Sequence, residues 1–201
     1  ELEIDNKYIM SPKDLCTIEF MDKIIAAGVT VFKIEGRARS AEYVWRTVSC
    51  YRKAADAVTG GTYSPEMGAE LKRELAEVFN RGFWDGYYQG ARLGEWSDLY
   101  GSHATRTKAN CGRITNWFSK LGVAEVQLES SDLSVGDQVM IIGPTSGVNQ
   151  FQITEIRYEL EPVRTAVKGS VISIPVPLSN GEDSYPRRGD RIYLWKDSEG
   201  R

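Results

Sequence analysis

The run Lys33-Ile34-Glu35-Gly36-Arg37, with Arg39 two residues later, ends an apolar stretch that reads as a β-strand. A carboxylate and a guanidinium at the end of a parallel strand sit where α/β enzymes keep their chemistry. Arg37 and Arg39 suit bidentate capture of a phosphate or carboxylate. Glu35 suits acid–base work if burial raises its pKa, and Lys33 shares the same strand end. The competing reading is structural: a Glu–Arg pair that closes the rim of the sheet.

Other candidate groups are sparse. Cys16, Cys50 and Cys111 are the three cysteines. Cys16 lies near an expected helix start, where the helix dipole favours a thiolate, yet read alone it is more often a small buried residue. Cys50 and Cys111 read as core. Three widely spaced cysteines fit a reducing cytoplasm better than a disulfide framework. His103 is the single histidine, so a site of several histidines is excluded and any Ser-His-Asp triad would have to use it. Arg188-Gly189-Asp190 reads more economically as a turn entering a strand than as an adhesion tripeptide.

The elements that hold these groups follow from periodicity. Tyr8-Ile9-Met10 is a short strand, and Ser11-Pro12-Lys13-Asp14 reads as a capped helix start. Leu15, Ile18, Met21 and Ile25 follow at helical spacing, with Gly28 as the stop. Val29–Ile34 is apolar on both faces, as a strand buried on both sides requires. Ser40 caps a helix whose buried stripe is expected at Val44, Val48, Tyr51, Ala55 and Val58, ending at Gly60-Gly61. A third helix begins near Ser64-Pro65-Glu66. The aromatics Phe83, Trp84, Tyr87 and Tyr88 read either as packing or as a stacking platform. Two strands with flanking helices cannot close an eight-stranded barrel, which takes about 250 residues. The expectation is therefore an excised end of a larger domain, with strand edges open to the missing upstream region or to a second copy.

Composition sets the class. The 201 residues are 41% apolar and 26% charged, with a net charge of −3. That describes an ordinary globular chain without an overall nucleic-acid footprint. No apolar run of about 18 residues occurs, so no membrane span is expected.

Tyr-Ile-Met-Ser-Pro-Lys-Asp-Leu-Cys (8–16), Ala-Gly-Val (27–29), Phe-Lys-Ile-Glu-Gly-Arg (32–37), Ser-Ala-Glu-Tyr-Val (40–44), Tyr-Arg-Lys-Ala (51–54) and Asn80-Arg81-Gly82-Phe83 together resemble peptidase family U32, the collagenase-like proteases. The resemblance covers roughly residues 8–90 and implies the end of a TIM-barrel-like catalytic region. It implies a hydrolase acting on collagen-like substrates. Alternatively it implies an oxygen-independent hydroxylation enzyme acting on tRNA, rRNA or a quinone precursor, with a [4Fe-4S] cluster. Cys16 would then be one ligand, the others lying upstream, and this piece alone would hold no cofactor and turn over no substrate.

Residues 91–106 read as a linker, and beyond it the helical signal stops. Strands are expected at Cys111–Asn116, Val123–Leu128, Gln138–Ile142, Gln152–Tyr158, Ser170–Ile174 and Arg191–Leu194, the signature of a small all-β barrel over 107–201. Val135-Gly136-Asp137-Gln138-Val139 echoes Arg188-Gly189-Asp190-Arg191-Ile192, each glycine supplying a positive φ ahead of a strand. The pattern is similar to the second-domain barrel of elongation factor Tu-type proteins, which implies an RNA or protein recognition module. Lys108, Arg113 and Lys120 beside Trp117 and Phe118 suit an RNA backbone and its bases, or form a solvated barrel face.

Overall fold

A computed structural model describes residues 12–91, 93–97, 101–178 and 181–198. The expected strand at Tyr8–Met10 and the Ser11 cap lie outside these residues. Two compact units divide the chain, Glu1–Thr105 and Arg106–Arg201.

In the first unit, β1 (Asp14–Leu15) pairs in parallel with β2 (Phe83–Trp84). Asp14 N–H donates to Gly82 O at 2.8 Å and Cys16 N–H to Trp84 O at 2.9 Å. A 3₁₀ turn at Ile18–Phe20, α1 (Met21–Ala26), α2 (Ala41–Thr59) and α3 (Pro65–Ala76) lie between the two strands. Ile18, Met21, Cys50, Ala54, Leu71 and Leu75 form the core, with Phe32, Tyr51 and Phe83 packed against it.

Three local expectations need correction. The helix foreseen from Pro12 starts only at Ile18, because pairing with β2 keeps Asp14 and Leu15 extended. Val29–Ile34 makes no strand among the described residues; Val31 is 82% exposed and only Phe32 packs on the core. On α2, Val44 and Val48 are exposed at 38% and 47%, whereas Arg46, Thr47, Cys50, Ala54 and Ala57 are buried. Charge pairing turns the helix this way. Arg46 reaches Glu74 at 3.4 Å and Glu77 at 2.7 Å, and Lys53 reaches Glu74 at 3.1 Å, fastening α2 to α3 through its polar side.

The second unit is antiparallel β-structure. Its strands are β3 (Arg106–Phe118), β4 (Val123–Leu128), β5 (Leu133–Ser134), β6 (Gln138–Gly143), β7 (Gly147–Gln152), β8 (Ile156–Tyr158), β9 (Glu161–Val163), β10 (Thr165–Ala166), β11 (Val171–Pro175) and β12 (Arg191–Asp197). Eight of them form one sheet in the order β7-β6-β12-β3-β4-β11-β8-β9, and β5 pairs with β10. Phe151 near one edge and Ile156 near the other join a single core with Cys111, Ile114, Val126, Leu128, Ile141, Ile172 and Ile192. A sheet whose opposite ends share one core must curl round it. Gly112 permits the β3–β4 approach, since a Cβ there would collide with Gln127 O. Gly136 and Gly189 have φ of 99° and 95°, as their matching turns require.

Candidate functional site

A cleft of about 650 Å³ opens in the first unit. Lys33, Glu35, Arg37 and Arg39 all line it, so the segment that fails to form a strand still gathers the predicted residues on one wall. Tyr43, Thr47 and Tyr51, four residues apart on α2, form another part of the lining. Among the described residues no guanidinium pairs with Glu35. Its Oε1 accepts the backbone N–H of Arg37 at 2.7 Å. Arg39 N–H closes the next turn onto Gly36 O at 3.0 Å, with Ala38 at φ 57° between them. A residue with a Cβ in that region costs about 1–2 kcal/mol, so the loop is held by its surroundings.

Asp14 organises the cationic side. Its carboxylate accepts from Arg81 N at 3.0 Å, Arg81 Nε at 3.2 Å and an Arg81 terminal nitrogen at 2.9 Å, and lies 3.8 Å from Arg39. The Arg39 guanidinium then sits 4.1 Å over the Phe79 ring and 5.3 Å from the Tyr43 ring centroid. Stacking and one shared carboxylate therefore aim Arg39, leaving donors available to an anion or a carbonyl. The sequence reading passed over Asp14 and Arg81. The available signal was their position: an acid in the first β-segment, and an arginine just before the second.

Cys16 is buried beneath Tyr51, whose hydroxyl donates to its sulfur at 3.9 Å and accepts from Thr17 N–H at 2.9 Å. Burial pushes the Cys16 thiol up, outweighing the hydrogen bonds that lower it. The structure bears out the reading of Cys16 as a small buried residue, and desolvation at this depth outweighs the dipole that would favour a thiolate. Burial likewise raises the Tyr51 hydroxyl, and burial followed by the Asp14 charge raises that of Tyr43. Among the described residues no three His, Cys, Asp or Glu side chains converge on a metal position, and all three cysteines are free and buried. A four-cysteine cluster does not fit this chain by itself.

His103 lies in the first unit, its Nε2 3.5 Å from Ser97 Oγ. Ser97 is 1% exposed, which closes that hydroxyl to a polymeric substrate. Among the described residues, the cleft lining holds no serine, cysteine or histidine.

In the second unit the predicted basic residues are dispersed. Lys108 Nζ stands 5.1 Å from the Tyr193 ring centroid, and Lys120 is exposed in the β3–β4 turn. Arg113 faces Arg191 across the β3–β12 ladder, and Glu129 bridges the two at 3.2 and 2.7 Å. The local cleft is lined instead by Thr115, Asn116, Trp117, Glu125 and the segment Tyr185–Arg188. Asp190 of the Arg-Gly-Asp tripeptide is buried, accepting from Ser146 Oγ and Arg187 N–H, as a structural turn requires.

Comparison with known proteins gives these features a context. The peptidase family U32 pattern matches residues 1–98. A Porphyromonas gingivalis protein named Collagenase is 56% identical over 199 residues, covering 99% of this chain and 47% of the relative. A Bacillus subtilis tRNA hydroxylation protein is 33% identical over 143 residues, 71% of this chain and 33% of the relative. The chain therefore spans about half the length of the first and a third of the second. A solved C-terminal domain of a Geobacillus thermoleovorans protein described as a U32 peptidase aligns with a TM-score of 0.36 and 17% identity, covering 45% of this chain and 92% of that one. Taken with the motifs that surround the first cleft, the family match over residues 1–98 and the 56% identity to the P. gingivalis protein show that the chain belongs to peptidase family U32.

Proposed function

We propose that this chain is the substrate-recognising C-terminal part of a collagenase-like U32 protein whose reacting groups lie outside it. The observation that carries this reading is the likeness to the P. gingivalis protein, which runs at 56% identity through both units. In this reading the first unit is the closing end of a larger α/β barrel. A barrel strand without its neighbours would look like residues 29–34: no ladder and an exposed Val31. The cleft binds rather than cleaves. Lys33, Arg37 and Arg39 grip carbonyls or a carboxylate of the peptide, while the lining offers, among the described residues, no serine or cysteine beside a base. Three buried free thiols suit a reducing compartment, the cytoplasm.

The test is gelatin cleavage by the full-length protein that contains this chain. Arg39→Ala is expected to raise KM by roughly tenfold with kcat little changed, because it removes ground-state binding. Turnover of gelatin by the 201 residues alone would contradict the proposal.

A second reading is hydroxylation of tRNA, favoured by the B. subtilis relative and consistent with the described cleft lining, which holds no serine or cysteine beside a base. A cluster there would need cysteines from outside this chain in addition to Cys16. Oxygen gain in a tRNA nucleoside, with gelatin left intact, would select it.

A further inference from the structure

The second unit carries a cleft of about 830 Å³ that neither reading uses. Trp117, near the end of β3, and Tyr185, ahead of β12, are nearly parallel, at 12° with centroids 6.4 Å apart. The Arg187 guanidinium lies 4.7 Å from the Tyr185 ring centroid, and its Nε is buried with no hydrogen-bond partner. Arg188, the next residue, is exposed on the same rim. The rim is anchored: Arg187 N–H donates to the buried Asp190 carboxylate at 2.8 Å, while Ile114 N–H donates to Asp190 O at 2.8 Å and Ile114 O accepts the Gly189 N–H at 2.9 Å. Glu125, the one acid in the lining among the described residues, is engaged by Thr115 Oγ1 at 2.6 Å.

We infer that this cleft binds a nucleotide, the base against Trp117 and Tyr185 and the phosphate on Arg187 and Arg188. Flat π surfaces beside two adjacent guanidinium groups need a ligand that is both planar and anionic, and a nucleotide joins those properties in one molecule. A simple anion would leave the rings unused. A proline-rich strand would use the rings but leave two positive charges uncompensated. The inference is independent of the chemistry proposed for the first unit.

The test uses the whole 201-residue chain, with fluorescein-labelled single-stranded oligouridylate followed by anisotropy and with UMP as competitor. Binding that weakens with added salt is expected. Arg188→Ala, at an exposed position, and Trp117→Ala are each expected to weaken it roughly tenfold or more. Arg52→Ala, on α2, is expected to change nothing. Displacement by UMP would assign the site to a free nucleotide, whereas binding of the oligonucleotide alone would assign it to an RNA strand. The inference is overturned if neither ligand binds, if Arg188→Ala binds as the parent does, or if a proline-rich peptide occupies the cleft in place of both. Because gelatin cleavage is read separately on the full-length protein, failure here is distinct from failure of the collagenase-like reading.

Discussion

At the scale of single residues, burial governs the chemistry available. Burial raises the Cys16, Cys50 and Cys111 thiols, and at Cys50 burial together with the Glu74 charge takes the value from 9.0 to about 12. An acid whose folded pKa is raised contributes stability fully below its unfolded pKa and loses it as pH climbs through the folded value. Between 9.0 and about 12 the unfolded chain holds fewer protons at Cys50 than the folded one, so stability falls with rising pH. Urea midpoints measured from about pH 8 to about pH 11 should decline, and Cys50→Ala should flatten the slope. A midpoint that holds steady or rises over that range would refute the assignment. The same reasoning explains why a thiolate at Cys16, argued from a nearby helix end, does not form. A dipole contributes about 0.3–1 kcal/mol where exposed, less than the cost of burying an anion.

At the scale of elements, two helix starts that look alike in sequence differ in substance. Ser64 Oγ accepts the Met67 N–H at 3.2 Å with Pro65 at the first helical position, whereas Ser40 makes no side-chain cap bond. Ser64→Ala should therefore lower thermal stability by about 1 kcal/mol, and Ser40→Ala by much less. Equal losses would show that the two caps are equivalent. This contrast marks where sequence reading works. Val123–Leu128 was legible to the residue, because alternation meets a ladder on both sides. The strand over Gly147–Gln152 was not, because its partners in β6 decide the matter and its Asn, Gln and Gly residues disguise the pattern. Of the stripe expected on α2, Tyr51, Ala55 and Val58 do pack on the core, whereas Val44 and Val48 were misjudged because apolar periodicity competes with Arg46 and Lys53 pairing across to α3. In the cleft, Lys33, Glu35, Arg37 and Arg39 were legible from their clustering. Asp14 and Arg81 meet across 67 residues of sequence, and no local pattern reports such a contact.

At the scale of the whole molecule, the proposed function depends on apolar surface that the first unit leaves exposed. Two units of different architecture, an α/β piece and a curled antiparallel sheet, share one chain that covers about half of its collagenase-named relative. The first unit leaves Val31, Val44 and Val48 exposed around a segment without ladder bonds, apolar surface that the proposed barrel would bury. Covering it would also fix the Lys33–Arg39 wall of the cleft, so binding and architecture are one question. Amide hydrogen exchange answers it most directly, compared between the 201-residue chain and the full-length protein. The account predicts that amides of residues 29–34 exchange rapidly in the chain alone and become strongly protected in the full-length protein, with β3–β12 unchanged. Equal exchange at 29–34 in both would contradict it.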